Sequence, residues 1–129
     1  MSMISFQLSN PKLPTIKSVH LVSKNIKIRL KNVLIDTGFD GELAVPVEGL
    51  ELLGLDPKLL KTKTLLFADS VGSLKVSQLT LVIFEQEFQV EVLWLENAND
   101  ALIGSGFFAK YAEILQLNYK SDTLSILLK

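Results

Sequence analysis

The chain has 129 residues, 48% hydrophobic and 21% charged, with a formal net charge of −1. That is the make-up of a single globular domain, 1–129, long enough for a real core, and it excludes a disordered segment. The charge gives no electrostatic basis for binding nucleic acid or an anionic membrane, and no apolar run nears the roughly 20 residues that span a bilayer.

The chain starts Met1-Ser2-Met3-Ile4-Ser5-Phe6, with no basic region ahead of a long apolar stretch, so no signal peptide is expected. Next, Ile4, Phe6 and Leu8 alternate with polar residues and predict a half-buried strand closed by Asn10-Pro11. Val19 to Val22, a turn at Ser23-Lys24-Asn25, and Ile26 to Leu30 read as a hairpin, with Lys27, Arg29 and Lys31 toward water.

Val33-Leu34-Ile35-Asp36-Thr37-Gly38 follows: a short apolar strand that carries a carboxylate to its end. Burying that carboxylate is costly unless it is hydrogen-bonded or protonated. Thr37 can supply a hydroxyl, and Gly38 lets the backbone turn sharply beside it.

Phe39 to Glu42 is a further turn and Leu43 to Pro46 a short strand. Glu48 to Leu53 fits two helical turns stopped by Gly54, and Asp56-Pro57 opens another short turn or helix through Leu60. Thr62 to Phe67 is strand-like, Ala68-Asp69-Ser70-Val71-Gly72 is a turn cluster, and Ser73 to Phe84 returns as a long strand. Glu85-Gln86 turns the chain into Phe88, Val90, Val92 and Trp94. Beyond the turn Asn97–Asp100 come Ala101-Leu102-Ile103-Gly104 and a helix that Ser105 is placed to cap, with Phe107, Phe108, Tyr111 and Ile114 or Leu115 at helical spacing. Leu115 to Tyr119 and Thr123 to Leu127 predict a last hairpin. The sum is a mainly β barrel or sandwich with one helix near the C-terminus.

Three features together resemble the retropepsin-like aspartic proteases: Leu34-Ile35-Asp36-Thr37-Gly38 continued by Asp40, the hairpin around Ala68 to Gly72, and Ala101-Leu102-Ile103-Gly104 running into a helix. The resemblance covers roughly Ser18 to the end. It implies a closed β-barrel lobe of the acid protease fold with one C-terminal helix, whose final strand, Leu124 to Leu128, lies where family members pair their termini across a dimer. It also implies an aspartic endopeptidase acting on extended polypeptide. The chain contains one Asp-Thr-Gly, whereas this chemistry needs two facing carboxylates, so the resemblance is to the homodimeric branch. The mean hydropathy of +0.34, high for a small monomer, fits a surface covered by a partner.

By that resemblance Asp36, Thr37 and Gly38 are catalytic: Asp36 of each subunit activates one water, Thr37 bonds across the dimer, and Gly38 contacts the carboxylates through its backbone. Asp40 and the hairpin residues Ala68, Asp69, Ser70, Val71 and Gly72 are then the substrate-binding set. Many viral members carry Arg where this chain has Ser105, so Asp40 lacks that partner; it binds substrate backbone or caps its own turn. The hairpin also lacks the usual Gly after Asp69, having Ser70.

Other chemistries find less support. With His20 alone and no cysteine, neither a metal site nor a disulfide is expected, and the absence of cysteine fits a cytoplasmic protein. No cofactor is implied: Gly104-Ser105-Gly106 lacks the rest of a phosphate-binding fingerprint. Asp36 and Asp40, four residues apart through a glycine turn, do not have the fixed separation of a glycosidase pair. Trp94 is either core or a pocket wall. The alternatives to a protease are a catalytically silent peptide-binding or dimerisation module of the same fold, and an unrelated small β-barrel.

Overall fold

The computed structural model describes residues 3–8, 12–67 and 70–129, with the backbone alone for 65–67, 70 and 71. The alternating N-terminal residues form β1 (Met3–Gln7), with Ile4 and Phe6 half-buried, and Leu8 just beyond it is buried. The Asn10-Pro11 stop falls outside the described residues. After the two-residue β2 (Thr15–Ile16), β3 (Val19–Ser23) and β4 (Ile26–Leu30) make the expected hairpin, in register from Val19↔Leu30 to Ser23↔Ile26. Lys27 and Arg29 point to water and Leu21 is fully buried, as strand alternation requires.

β5 (Val33–Asp36) and β6 (Leu43–Pro46) flank the turn after Asp36. α1 (Glu48–Leu52) buries Leu50, with Leu53 buried just beyond it, before Gly54 at φ +68° ends the turn. A 3₁₀ turn at Pro57–Leu59 follows, capped by the Asp56 carboxylate, which accepts from the Lys58 amide at 2.9 Å. Then come β7 (Lys61–Phe67), β8 (Ser70–Ile83), β9 (Gln86–Leu95), β10 (Ala101–Gly104), α2 (Ser105–Tyr111), β11 (Ala112–Asn118) and β12 (Thr123–Leu128). Among the described residues no helix is long and apolar enough to cross a membrane.

Several boundaries differ from the sequence reading. Of the segment expected to turn over Ala68 to Gly72, Ser70, Val71 and Gly72 already belong to β8, paired with Phe67, Leu66 and Leu65. At the next hairpin the turn residues are Phe84 and Glu85, both at positive φ (56° and 60°), and Gln86 is already strand. That left-handed pair matches the twist of a two-residue hairpin.

α2 stops at Tyr111, so neither Ile114 nor Leu115 extends it; Ile114 lies in β11 opposite Leu127, and Leu115, opposite Ile126, is in the strand read for it. Pairing with β12 overrides the helical spacing, which local pattern alone cannot foresee. Nor does Ser105 cap α2. The N-cap is Gly104, without a side-chain bond, and Ser105 is the first helical residue.

The main sheet runs in the order β2-β5-β10-β6-β9-β8-β3-β4, with β7 added to β8. Two of its pairings are parallel, β5 with β10 and β6 with β9. The chain ends build a separate three-stranded sheet, β1-β12-β11. β12 is its centre, so the strand expected to pair across a dimer is already paired with β1 on one edge and β11 on the other within its own chain.

One apolar core unites both sheets. Leu21, Leu43, Leu81, Val90, Ile103 and Ile126 are fully buried in it. Phe107, also fully buried, meets Phe88 edge-on at 5.2 Å and Phe108 at 5.4 Å, which anchors α2. Trp94 is core, 2% exposed, and its indole nitrogen donates to the Ser77 hydroxyl at 2.9 Å. An indole N–H that is buried needs such a partner, and Ser77 supplies it.

Candidate functional site

β5 delivers Asp36 to the end of the sheet, where the strand turns out at Thr37 and Gly38. The parallel pairing with β10 fixes where that end lies: Val33 opposes Ala101, and Asp36 opposes Gly104. Two motifs far apart in the chain thereby become neighbours.

The carboxylate is held by its own turn. The Gly38 amide donates to Asp36 Oδ1 at 3.0 Å, and the Phe39 amide donates to the Asp36 carbonyl at 3.1 Å. In the single chain Asp36, Thr37 and Gly38 are all exposed, so the carboxylate is not buried there. The Thr37 hydroxyl makes no bond to another described residue.

Residues 39–42 then fold across the junction of β10 and α2. Amides of three consecutive residues donate to this loop: Gly104 to the Glu42 carbonyl (3.1 Å), Ser105 to that of Phe39 (2.9 Å) and Gly106 to that of Gly41 (3.1 Å). The Ser105 hydroxyl adds a second bond to the Phe39 carbonyl at 3.1 Å. This packing explains the glycines. A Cβ at Gly104 would collide with the carbonyl oxygens of Gly41 and Phe39, and one at Gly106 would sit 2.5 Å from that of Asp40.

Asp40 is exposed and its carboxylate has no partner among the described residues. It does not cap its turn through a side-chain bond; the turn is closed by backbone groups and Ser105 instead.

Glu42, which the sequence reading did not single out, organises the far side of the loop. Its Oε1 accepts from the Glu91 amide at 3.2 Å and lies 3.6 Å from Lys110 Nζ on α2. Lys110 also sits over the Tyr111 ring at 5.1 Å. Hydrogen bonding to Tyr111 first, and then the Glu42 carboxylate, holds the Lys110 ammonium above the ordinary lysine pKa. The sequence carries only a weak signal of this, since Glu42, Glu91 and Lys110 look like ordinary surface charges in a linear reading.

Of the expected substrate-binding hairpin, Ala68 and Asp69 lie outside the described residues. Ser70, Val71 and Gly72 open β8, where residues 70–75 pair with β7 and with no other described strand. Among the described residues no group of three or more His, Cys, Asp or Glu side chains is placed to hold a metal ion.

An exposed, oriented carboxylate at a strand end can accept a proton from water or donate one to a carbonyl oxygen, provided a second group shares the work. Among the described residues no second carboxylate is hydrogen-bonded to Asp36, whose side chain accepts from the Gly38 amide.

No family model and no curated protein matches this chain. Among solved structures it is similar to a retropepsin-like aspartic protease from Rickettsia conorii, with a TM-score of 0.69 and 22% sequence identity, over 97% of this chain and 89% of that one. At that identity the likeness is one of fold.

Proposed function

We propose that this chain is an aspartic endopeptidase that works as a homodimer on extended polypeptide, with Asp36 of each subunit meeting on a two-fold axis. The observation that carries the reading is the placement of Asp36: exposed at the end of a parallel strand pair, its carboxylate fixed by the Gly38 amide, in a fold like that of a retropepsin-like protease. One such residue per chain leaves the chemistry half-built, and a second copy completes it. Thr37, exposed and without a bond to another described residue, is then free to bond across the interface.

Two carboxylates about 3 Å apart cannot easily both ionise, so the pair shares one proton. The ionised member takes a proton from a bound water, and the resulting nucleophile attacks the scissile carbonyl. The protonated member donates to the carbonyl oxygen, and a proton then passes to the leaving nitrogen. The two subunits are identical, so the bound substrate decides which Asp36 plays which part.

In the same reading the strands close into one barrel lobe, 1–129 is one domain, and the protein works in the cytoplasm without a cofactor. Asp40 faces the substrate backbone. The segment Ala68 to Gly72, of which Ser70 to Gly72 open β8, covers the peptide and excludes water.

The test is cleavage of an unfolded protein from acidic to neutral pH, with wild type and Asp36→Asn compared, and with a pepstatin-type inhibitor in parallel. Asp36→Asn keeps the shape and removes the titrating group, so a loss of at least about 10²-fold is expected. Equal cleavage by both proteins would place the activity elsewhere. A confirmed dimer that cleaves nothing would leave the silent peptide-binding module.

A further inference from the structure

The β7–β8 hairpin stands on its own backbone pairing. It runs in register from Lys61↔Val76 to Phe67↔Ser70, whereas β9 joins β8 only from Val76 onward. Residues 61–67 and 70–75 therefore pair as two strands, a ribbon beyond the edge of the main sheet. At its foot, between Leu55–Lys61 and strands β8 and β9, lies a hollow of about 520 Å³ with Glu91 in its wall.

An ion pair crosses from the ribbon to the sheet. Lys63 Nζ of β7 lies 2.9 Å from Glu91 Oε1 of β9. The amide of the same Glu91 donates to Glu42, whose carbonyl holds Gly104 and whose carboxylate lies beside Lys110. One continuous set of polar contacts thus joins the ribbon to the loop that follows Asp36. We propose that Lys63 and Glu91 are positioning residues that hold the described part of the ribbon against the main sheet, so that movement of the ribbon means opening this pair. The proposal rests on the protease reading for its catalytic consequence, while the mechanical part stands on the contacts alone.

The side chains are 48% and 27% exposed, so the pair is a weak, salt-sensitive latch and not a rigid bolt. A pair of that kind shifts an open–closed ratio by roughly one-and-a-half- to fivefold. A latch of this strength allows repeated opening at each turnover.

The experiment uses the full chain without substrate. Amide hydrogen exchange is followed at residues 62–64 and 73–75 of the ribbon, with Leu81 and Val90 in the core as internal controls, for wild type, Lys63→Gln, Glu91→Gln and the charge swap Lys63→Glu/Glu91→Lys. Glu91→Gln leaves the backbone bond to Glu42 in place, so it tests the ion pair separately. Expected is a roughly one-and-a-half- to fivefold faster exchange in the ribbon of both single variants, unchanged core exchange, recovery in the swap, and convergence of all four proteins in about 1 M salt. Unchanged ribbon exchange, equal acceleration in the core, or no recovery in the swap would overturn the latch.

Peptide cleavage is measured on the same proteins. A change in KM in the single variants, reversed by the swap, is expected; unaltered kinetics despite a loosened ribbon would overturn the link to Asp36. A wild type that cleaves no peptide would sink the protease reading, and exchange would still decide whether the pair holds the ribbon.

Discussion

The Phe39 carbonyl accepts two hydrogen bonds from Ser105, one from its amide at 2.9 Å and one from its hydroxyl at 3.1 Å. A single residue at the start of α2 thereby secures the chain three positions after Asp36. Ser105→Ala removes the hydroxyl bond and keeps the amide bond, in a part-buried setting. A loss of about 0.5–1.5 kcal/mol in denaturant unfolding is expected. On the protease reading, turnover falls with it, because the Asp36 turn is less firmly held. Stability equal to wild type would mean that the amide alone fixes the loop.

Gly104 has no room for a side chain. Its Cβ would meet backbone carbonyls of Phe39 and Gly41, which cannot swing aside as a side chain end could. Gly104→Ala should cost about 1–3 kcal/mol or more, read as a lower unfolding midpoint with an unchanged denaturant slope. A neutral outcome would show that the 39–42 loop tolerates displacement.

Trp94 is the chain's single tryptophan, so its fluorescence reports directly on the core. Ser77→Ala strands the buried indole N–H that now donates to the Ser77 hydroxyl at 2.9 Å. Leaving such a donor unsatisfied costs about 1–3 kcal/mol. Ser77→Ala should therefore lower stability by that amount and alter the Trp94 emission of the native state.

A dimer with one carboxylate from each chain has two signatures. Below the dissociation constant, specific activity should fall about tenfold for each tenfold dilution, and Thr37→Ala should move that fall to higher concentration. The pH profile should be bell-shaped, since acid protonates both carboxylates and base strips both, and only the singly protonated pair works. Concentration-independent turnover, or a profile with a single limb, would remove the shared-proton mechanism.

Much of this was legible in a linear reading because it is local. The alternation in Val19–Leu30 and in Phe88–Trp94 writes strand and buried face into adjacent residues, and the structure has both. Asp36-Thr37-Gly38 likewise marks a strand end and a turn from its own composition. The misreadings fall where a distant partner decides. Ile114 has helical spacing after Phe107, yet β12 draws it into a strand opposite Leu127. Ser105 has the chemistry of a helix cap, yet the nearby Phe39 carbonyl takes its hydroxyl.

The sequence by itself determined a mainly β chain, the position of its one sizeable helix start, and a single strand-end carboxylate beside a hydroxyl and a glycine. Only the tertiary structure decided that Asp36 lies opposite Gly104, that β12 is paired on both edges, and that Glu42 joins Glu91 and Lys110. Periodicity reports which face of a segment avoids water, a property of neighbours in the chain. Which segments then pair depends on closing long loops between them, and that free energy belongs to the whole fold and not to any stretch of it.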